Sequence, residues 1–574
     1  MNATLLEAVL RNPDDDEPRL VYADACEEAG DLDRARFIRL QIRQAEMSRF
    51  DPARFDLAHE IRMLEAAHRP RWLAELPSPP GVAYGRFRRG FVDTVCTKVA
   101  ARLADALADV ERSIPLRRWI SRAGTPAALA LDGSPLGIRE IVVESTRLPG
   151  QPPFDLEALW TLLERPVASR LDGLRLPFTP VADEVRYAER LAAWGCRVRT
   201  LHLGCDHLSP EAMSALVEAP GLASVEDLSL ASRNLPTSVH SIAPEAMRAL
   251  LRRCRGLRAL DVGVGALERA SCQVVFDEGP VTLAHLGTNS LVGVDPTNAS
   301  FALETLCGGP VRGPLDAPCF ARLRGLRLSG GEQRLSTLPD TLRELWVSRA
   351  GRNPVRGPHQ LEVLEVLDSP GLVPLVAESA PTLRMLRLLH TDVPDPPSLP
   401  ALIALRAHDC DGASGLVARS PRLRSLDLTG VTVDAELRRW LPARALVDAD
   451  LPYLPVPLPT TWNLVTLGAS GEAAAMLPSL PDRLPLLQEL RVYETNDDGD
   501  ALLEWIPEGA PHLLRMWLRL GFSDAVIEKW RTSQWAGRLY AASVAHGRRY
   551  LSIHDRLLAG ELSELDPIGS DLPW

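Results

Sequence analysis

Residues 361–388, LEVLEVLDSPGLVPLVAESAPTLRMLRL, indicate the fold of the chain, because the same six-residue pattern occurs at both ends of the stretch. Leucine or valine occupies positions one, four and six, as LEVLEV at 361–366 and LRMLRL at 383–388. Successive side chains of a strand point to opposite faces, so positions four and six face one side and positions three and five the other. Each copy therefore predicts a short strand with one buried side.

The same pattern recurs along most of the chain. Clear copies begin at residues 138, 171, 198, 225, 257, 323, 342, 361, 383, 402, 423, 464, 487 and 513. This spacing is typical of leucine-rich repeats, in which stacked strands form one curved parallel sheet. We therefore expect an α/β solenoid, a leucine-rich repeat array preceded by a small, mainly helical N-terminal domain.

The intervals between copies divide the array. Early copies lie 27 to 33 residues apart, which leaves room for convex helices in long repeats over 138–322. From residue 323 onward, intervals of 19–22 residues predominate, which predicts short repeats over 323–520 with extended or 3₁₀ return segments. The segment 521–574 is predicted to be a helical C-terminal cap with an acidic tail.

The N-terminal stretch LLEAVLRNPDDDEPRLVYADACEEAGDLDRARFIRLQ, residues 5–41, predicts three amphipathic helices. In the second helix we expect Leu20, Val21, Ala23 and Cys26 to be buried. Eight carboxylates lie between residues 13 and 31, without a histidine and without the spacing of a calcium loop. We interpret them as helix-capping and solvated residues rather than as a metal site.

This stretch, with FRRGFV at 87–92, resembles the N-terminal repeat-companion domain of certain bacterial leucine-rich repeat proteins. The resemblance implies a helical domain over 1–95, followed by a transition or N-terminal cap over 96–137. It implies no established catalytic activity. Ala25 and Cys26 depart from the family pattern, which has Trp and Leu there, so local packing should differ.

Composition and motifs argue against an enzyme. The net charge of −11 disfavours generic nucleic-acid binding, and Lys98 and Lys529, the only lysines, lie outside any phosphate-binding loop. The nine cysteines form no C-x-x-C pair, and none follows Cys410, where a ligase-type effector would need its nucleophile. We expect no catalytic residues, no metal and no cofactor.

Localisation is predicted from the absence of two signals. The N-terminus MNATLLEAVLR lacks the basic region of a secretory signal. The uncharged run at 451–471 contains four prolines, which preclude a regular membrane-spanning helix. We expect a cytoplasmic protein without a membrane association.

Positions three and five of the repeats should form the concave face and bind another protein. Arginine and tryptophan, the residues most enriched in interface hot spots, are frequent there. The predicted partner-binding residues are eight of those at position five: Arg327, Trp346, Glu365, Arg387, Arg406, Asp427, Arg491 and Trp517. Position three adds Asp227, Glu344, Met385, Glu489 and Arg515. The alternative is a solvated face with its tryptophans covered by loops.

Three functional hypotheses follow. The first is a non-enzymatic protein-protein interaction scaffold or adaptor, with bacterial defence or signalling as a setting. The second is an inhibitor or immunity protein that occludes a toxin or enzyme. The third is an enzyme with an unfamiliar site. Partner identity and oligomeric state, monomer or component of a hetero-complex, stay open.

Overall fold

A computed structural model of the protein describes residues 3–79, 82–97, 109–121, 137–143, 160–230, 242–262, 269–288, 291–311, 315–329, 335, 337–350, 355–493, 499–510, 515–518 and 539–542, with short gaps inside 160–230 and 355–493. The chain forms two compact units. Among the described residues, the first comprises those up to 45 and 74–342, and the second comprises 46–73 and 343–542.

Three helices open the first unit: α1 (Ala3–Arg11), α2 (Glu17–Glu28) and α3 (Leu32–Glu46). Val9, Tyr22 and Ile38 form their core together with Phe91. Phe91 belongs to a hairpin of β2 (Phe87–Arg88) and β3 (Phe91–Val92). The hairpin turn needs Gly90, whose φ is +86° and where a Cβ would collide with the Ile38 side chain.

The expected buried side of α2 is partly wrong. Ala23 is buried and Cys26 packs against the core, but Leu20 and Val21 are 39% and 46% exposed. Arg19 is buried instead, with its guanidinium 5.1 Å from the centre of the Phe91 ring. That guanidinium also donates to two backbone carbonyls, which helps to explain why α2 presents this polar residue inward.

Parallel strands form the sheet of the first unit, and β1 (Val82–Tyr84) pairs antiparallel with its first member. Neighbouring strands follow chain order: β4 (Thr94–Thr97), β5 (Arg118–Ser121), β6 (Glu140–Val143), β7 (Gly173–Thr179), β8 (Thr200–Cys205), β9 (Asp227–Ser229), β10 (Ala259–Asp261), β11 (His285–Gly287), β12 (Thr305–Gly308) and β13 (Gly325–Leu328). The parallel strands thus begin at residue 94, at the end of the expected helical domain, and β5 lies within the segment 96–137 that was expected to be a transition.

Helices fill the long intervals between these strands: α5 (Glu184–Ala193), α6 (Pro210–Val217), α7 (Pro244–Arg253) and α8 (Arg269–Glu278). Proline opens both α6 and α7, where its missing N–H costs no helical hydrogen bond. The Ser209 hydroxyl caps α6 by accepting from the backbone N–H of Ala212 at 3.1 Å.

The second unit contains a second run of parallel strands in chain order and one long helix, α4 (Ala53–Ala74). Its strands are β14 (Glu344–Ser348), β15 (Val363–Leu367), β16 (Met385–Leu389), β17 (Ala404–His408), β18 (Ser425–Asp427), β19 (Asp448–Leu451), β20 (Thr466–Ser470), β21 (Glu489–Tyr493), β22 (Arg515–Leu518) and β23 (Leu539–Ala542). Short helices follow four of them: α9 (Pro374–Glu378), α10 (Ala413–Ala418), α11 (Ala435–Trp440) and α12 (Gly499–Gly509).

Leucines of the repeat pattern form the core of this array. Leu364, Leu386 and Leu405, all at position four, are fully buried. The array is an α/β solenoid, and eight of its ten described strands follow the leucine pattern. At its end, Leu539–Ala542 is a strand, so the expected helix is wrong for these four residues; the rest of 521–574 lies outside the described residues.

The turns after the strands rely on small polar side chains. The Ser369 hydroxyl accepts from the Ala350 N–H at 2.7 Å and donates to the Leu367 carbonyl at 2.6 Å. Thr391 donates to its own repeat's Leu389 carbonyl at 3.0 Å. Hydroxyl groups thus satisfy turn backbone that asparagine satisfies in more regular repeats.

Candidate functional site

Position-five residues of the second unit form a continuous row across its sheet. Strand register places them side by side: Trp346, Glu365, Arg387, Arg406, Asp427, Asp450, Gly468, Arg491 and Trp517. We call these residues the position-five row, and the sheet face opposite the leucine core the concave face. Alternation along each strand puts the row on that face. A second row, at position three, runs parallel to it.

The position-three row is covered by α4. Phe55 is 7% exposed and packs with Val363, Met385 and Ile403, at the starts of β15, β16 and β17. Farther along the helix, Ala66 packs with Val447 and other apolar residues that precede β19, β20 and β21. The helix therefore crosses the strands in chain order.

The length of α4 suits this crossing. Its 22 residues extend about 33 Å at 1.5 Å per residue. From β14 to β21 there are seven inter-strand steps, or about 34 Å at 4.8 Å per step. One helix can therefore lie along most of the position-three row.

Ion pairs join α4 and the residue Arg49 before it to the position-three row, and their carboxylates are buried. The guanidinium of Arg62 lies 2.6 Å from the Asp448 carboxylate and donates to the Thr466 hydroxyl at 2.8 Å. Just before α4, Arg49 pairs with Glu344 at 3.1 Å. Burial raises the pKa of both Asp448 and Glu344, and the paired arginines oppose that rise. The paired arginines thus stabilise the ionised forms of both carboxylates.

The expectation that position three faces a partner is therefore wrong for Glu344 and Met385. Both side chains contact the chain's own segment 46–73. Glu489, also at position three, is buried and pairs with Arg491. Position-five residues are the ones that retain solvent contact on this face.

Most charges of the position-five row are paired with near neighbours. Glu365 accepts from Arg387 at 2.9 Å, and their side chains are 21% and 32% exposed. Asp427 lies 2.9 Å from the His408 Nε2. Burial raises the pKa of Asp427, but His408 and other donors outweigh burial and lower it below its ordinary value.

Two charged residues of the position-five row, Arg406 and Asp450, differ from the others in having no close partner among the described residues. Among the described residues, the side chains of Arg406 and Asp450 make no hydrogen bond and no ion pair within 4.0 Å. Burial lowers the pKa of Arg406, and Arg387 and Arg491 lower it further, against the attraction of Asp427. Burial and Asp427 raise the pKa of Asp450 to about 7. The position-five row thus contains one cation and one anion that lack a close partner among the described residues.

Gly468 makes room for Asp450. A Cβ at Gly468 would collide with the Asp450 carboxylate, so a side chain on this strand would displace it. Arg491, beyond Gly468 in the row, and Arg406 both lower the pKa of Asp450 electrostatically. Because Gly468 has no side chain, the charges of Asp450 and Arg491 lie on one continuous surface.

The other predicted site residues are placed as follows. Trp346 is half-buried and lies beside Glu365. Arg327 lies on β13, which belongs to the first unit, so it is not part of the position-five row as defined above. Trp517 lies on β22 in register with Arg491, and its side chain is outside the described residues.

Sequence reasoning missed Asp448 and Asp450. Their strand, β19, begins in the sequence LVDADL, where alanine replaces the leucine of position four. Because the leucine pattern fails there, this repeat was not recognised. The preserved ends, Leu446 and Leu451, were the available signal.

The described residues offer little for covalent or metal chemistry. No group of three or more His, Cys, Asp or Glu residues among them could hold a metal ion. In the acidic stretch, Asp24 and Glu27 pair with Arg39 at 2.7 and 2.5 Å. Burial raises the pKa of the Cys254 thiol to about 12 and that of Cys272 to about 11, which keeps both protonated at neutral pH.

Comparisons with known proteins give similarities among solved structures alone. No protein-family model matches the sequence, and no curated protein matches it. Among solved structures, a chain of the TLR13-ssRNA13 complex matches at 14% identity with a TM-score of 0.31. The match covers 78% of this chain and 66% of that chain, a little under two thirds of its length. A similarity this low carries no argument about function. Within the part of the chain that the structure describes, no helix is long and apolar enough to cross a membrane.

Proposed function

We propose that the chain is a non-enzymatic protein-binding protein that holds a protein partner on the position-five row of the second unit. The observation that carries the proposal is the row itself, a series of half-buried charged and aromatic residues in register beside α4. Arginine and tryptophan anchors of this kind dominate protein interfaces. Leu367 and Leu389, two residues beyond the row, are also half-buried and would extend the surface.

The setting we propose is a bacterial cytoplasm, where the protein acts as a scaffold or recognition adaptor. The resemblance of residues 5–41 and 87–92 to repeat-companion domains supports this setting. The negative net charge of −11 favours a protein partner over a nucleic acid. In this proposal α4 is a fixed part of the binding face, and the partner lies beside it.

Site-specific photo-crosslinking tests the location of the partner. A photoreactive amino acid replaces Leu389 on the concave face in one variant and Glu378, exposed on α9 in the same repeat, in the other. Cells of the native host are irradiated, and adducts are identified by mass spectrometry. We expect a stoichiometric protein adduct from Leu389 and none from Glu378.

An adduct from Glu378 alone would refute the location. Absence of any protein adduct from several concave positions would refute the binding function. If the adduct is an enzyme that loses activity in the complex, the protein acts as an inhibitor rather than as an adaptor.

A further inference from the structure

The unpaired charges of the position-five row indicate what the partner must present. Arg406 and Asp450 lie on β17 and β19, on either side of Asp427. Strands two steps apart are about 10 Å apart. The neighbouring charges Arg387 and Asp427 already have partners, at 2.9 Å in each case. One cation and one anion about 10 Å apart thus remain to be matched.

The chain's own α4 shows how a segment can lie on this face. It runs along the rows, with Phe55 and Arg62, seven residues apart, both contacting the sheet. Seven residues are two helical turns, so such a pair shares one helix face and is separated by about 10.5 Å. This separation is also that of Arg406 and Asp450 along the row.

A second helix would have room beside α4 by strand geometry. Helices pack 8–10 Å apart. α4 covers residues at positions two and three, such as Val447 and Asp448. Position five lies two to three residues farther along the strands, which is about 7–10 Å. The position-five row therefore lies near the packing distance of a neighbouring helix.

We propose that the position-five row binds an α-helix of a partner protein that carries an acidic and a basic residue seven positions apart, the acid opposite Arg406 and the base opposite Asp450. This inference rests on the proposed function and specifies the partner's chemistry. Each half-buried charge gains a close counter-ion that the described chain does not provide, which is the condition for such a charge to favour binding.

The electrostatics of Asp450 support a cationic partner group. Asp427, His408, Arg406 and Arg491 face Asp450, and its pKa is still raised to about 7. A lysine or arginine placed against the carboxylate favours the ionised form. Binding should therefore strengthen as the pH rises from 6 to 8, because Asp450 is then already ionised.

A displayed peptide library provides the test. The probes are helical peptides of about 20 residues, or about 30 Å, with randomised residues on one face. They are selected in parallel against the full-length wild type and the double variant Arg406→Glu with Asp450→Lys. We expect wild type to enrich an acid and a base seven residues apart, and the double variant to enrich the same spacing with the charges exchanged.

Binding of one wild-type-selected peptide then measures each contact. Arg406→Gln and Asp450→Asn should each weaken it about tenfold, more than truncation of most interface residues does. Wild type should lose affinity between pH 8 and pH 6, and Asp450→Asn should lose much less. His408 is present in both proteins, so the difference reports on Asp450. Thermal unfolding checks that each variant is folded, and the neutral variants replace the charge-reversed pair if that pair unfolds.

The outcomes separate the two proposals. Identical peptides from wild type and the charge-reversed variant, or no enriched charged pair, would overturn this inference. If such peptides still crosslink to Leu389, the proposed function stands. Peptides that crosslink only to Glu378 would overturn both.

Discussion

Replacing Arg62 with methionine tests whether α4 is held by a buried ion pair. Methionine keeps much of the apolar stem but removes the charge opposite Asp448. The side chains of Arg62 and Asp448 are 22% and 8% exposed, and Arg62 also donates to Thr466. Removing one member of a buried pair costs about 3–5 kcal/mol, because the other charge stays buried without a partner. The partial exposure of Arg62 places the expected loss near the lower limit, about 3 kcal/mol.

The loss should depend on pH. The pKa of Asp448 is raised mainly by burial, so its ionised form destabilises the folded state at a pH above that pKa. Protonation as the pH falls relieves this cost, and a protonated carboxyl needs no arginine. The effect of Arg62→Met should therefore be smaller at pH 5 than at pH 8.

Thermal unfolding followed by tryptophan fluorescence provides the measurement. A loss of about 3 kcal/mol corresponds to a decrease of about 6–12 °C in Tm for a domain of about 200 residues. Arg11→Met is the matched control, since Arg11 and Glu7 pair at 2.5 Å with side chains 70% and 58% exposed, and exposed pairs contribute about 0–1 kcal/mol.

A double-mutant cycle with Asp448→Asn isolates the pair. Adding Asp448→Asn should recover most of the stability that Arg62→Met loses. If Arg62→Met changes Tm no more than Arg11→Met, or if the cycle gives no coupling between the two residues, then α4 does not lie on the position-three row through this contact.

Three further predictions concern the core, a buried acid and the acidic stretch. Leu386→Ala should cost about 2–5 kcal/mol in urea unfolding, because the leucine is fully buried, and a loss below that of a surface change would contradict its assignment to the core. Glu362 has its pKa raised to about 7 by burial, above the usual 4.5, so the folded state binds the extra proton and stability falls as the pH rises from about 4.5 to 7; Glu362→Gln should flatten that decline in urea titrations, and an unchanged slope would refute the assignment. Calorimetric titration of Ca²⁺, Mg²⁺ or Zn²⁺ into the full chain should give no saturable micromolar binding that depends on the carboxylates of residues 13–31, since Asp24 and Glu27 already pair with Arg39.

The leucine pattern allowed the strands of the second unit to be predicted accurately. Copies that begin at 342, 361, 383 and 402 correspond to strands that begin two residues later, at Glu344, Val363, Met385 and Ala404. The pattern succeeds because strand burial is local and alternates with a period of two. It fails at β19, where Ala449 takes the place of a leucine and both outward positions are aspartates.

The placement of α4 could not be predicted in the same way. Its buried residues include Phe55, Leu57, Ile61, Ala66 and Trp72, which do not form one narrow stripe along the helix. Contacts of α4 and of the residues just before it join residues 295 to 422 positions apart, such as Arg49 with Glu344 and Ala66 with Gln488. Local periodicity carries no information about such distant pairs, so residues 53–74 were placed only within an expected helical domain, without the face that they cover.

The cover provided by α4 changes how charges on the concave face should be interpreted. Strand alternation alone makes positions three and five equally outward, so it does not distinguish Asp448 from Asp450. The fold separates them: Asp448 has Arg62 at 2.6 Å, and Asp450 has no ion-pair partner among the described residues. A charge matched within the chain stabilises the fold, and substituting it should change stability first. An unmatched charge on a half-buried surface contributes little to stability and can contribute to binding, so Arg406 and Asp450 are the positions where substitutions should change binding more than stability.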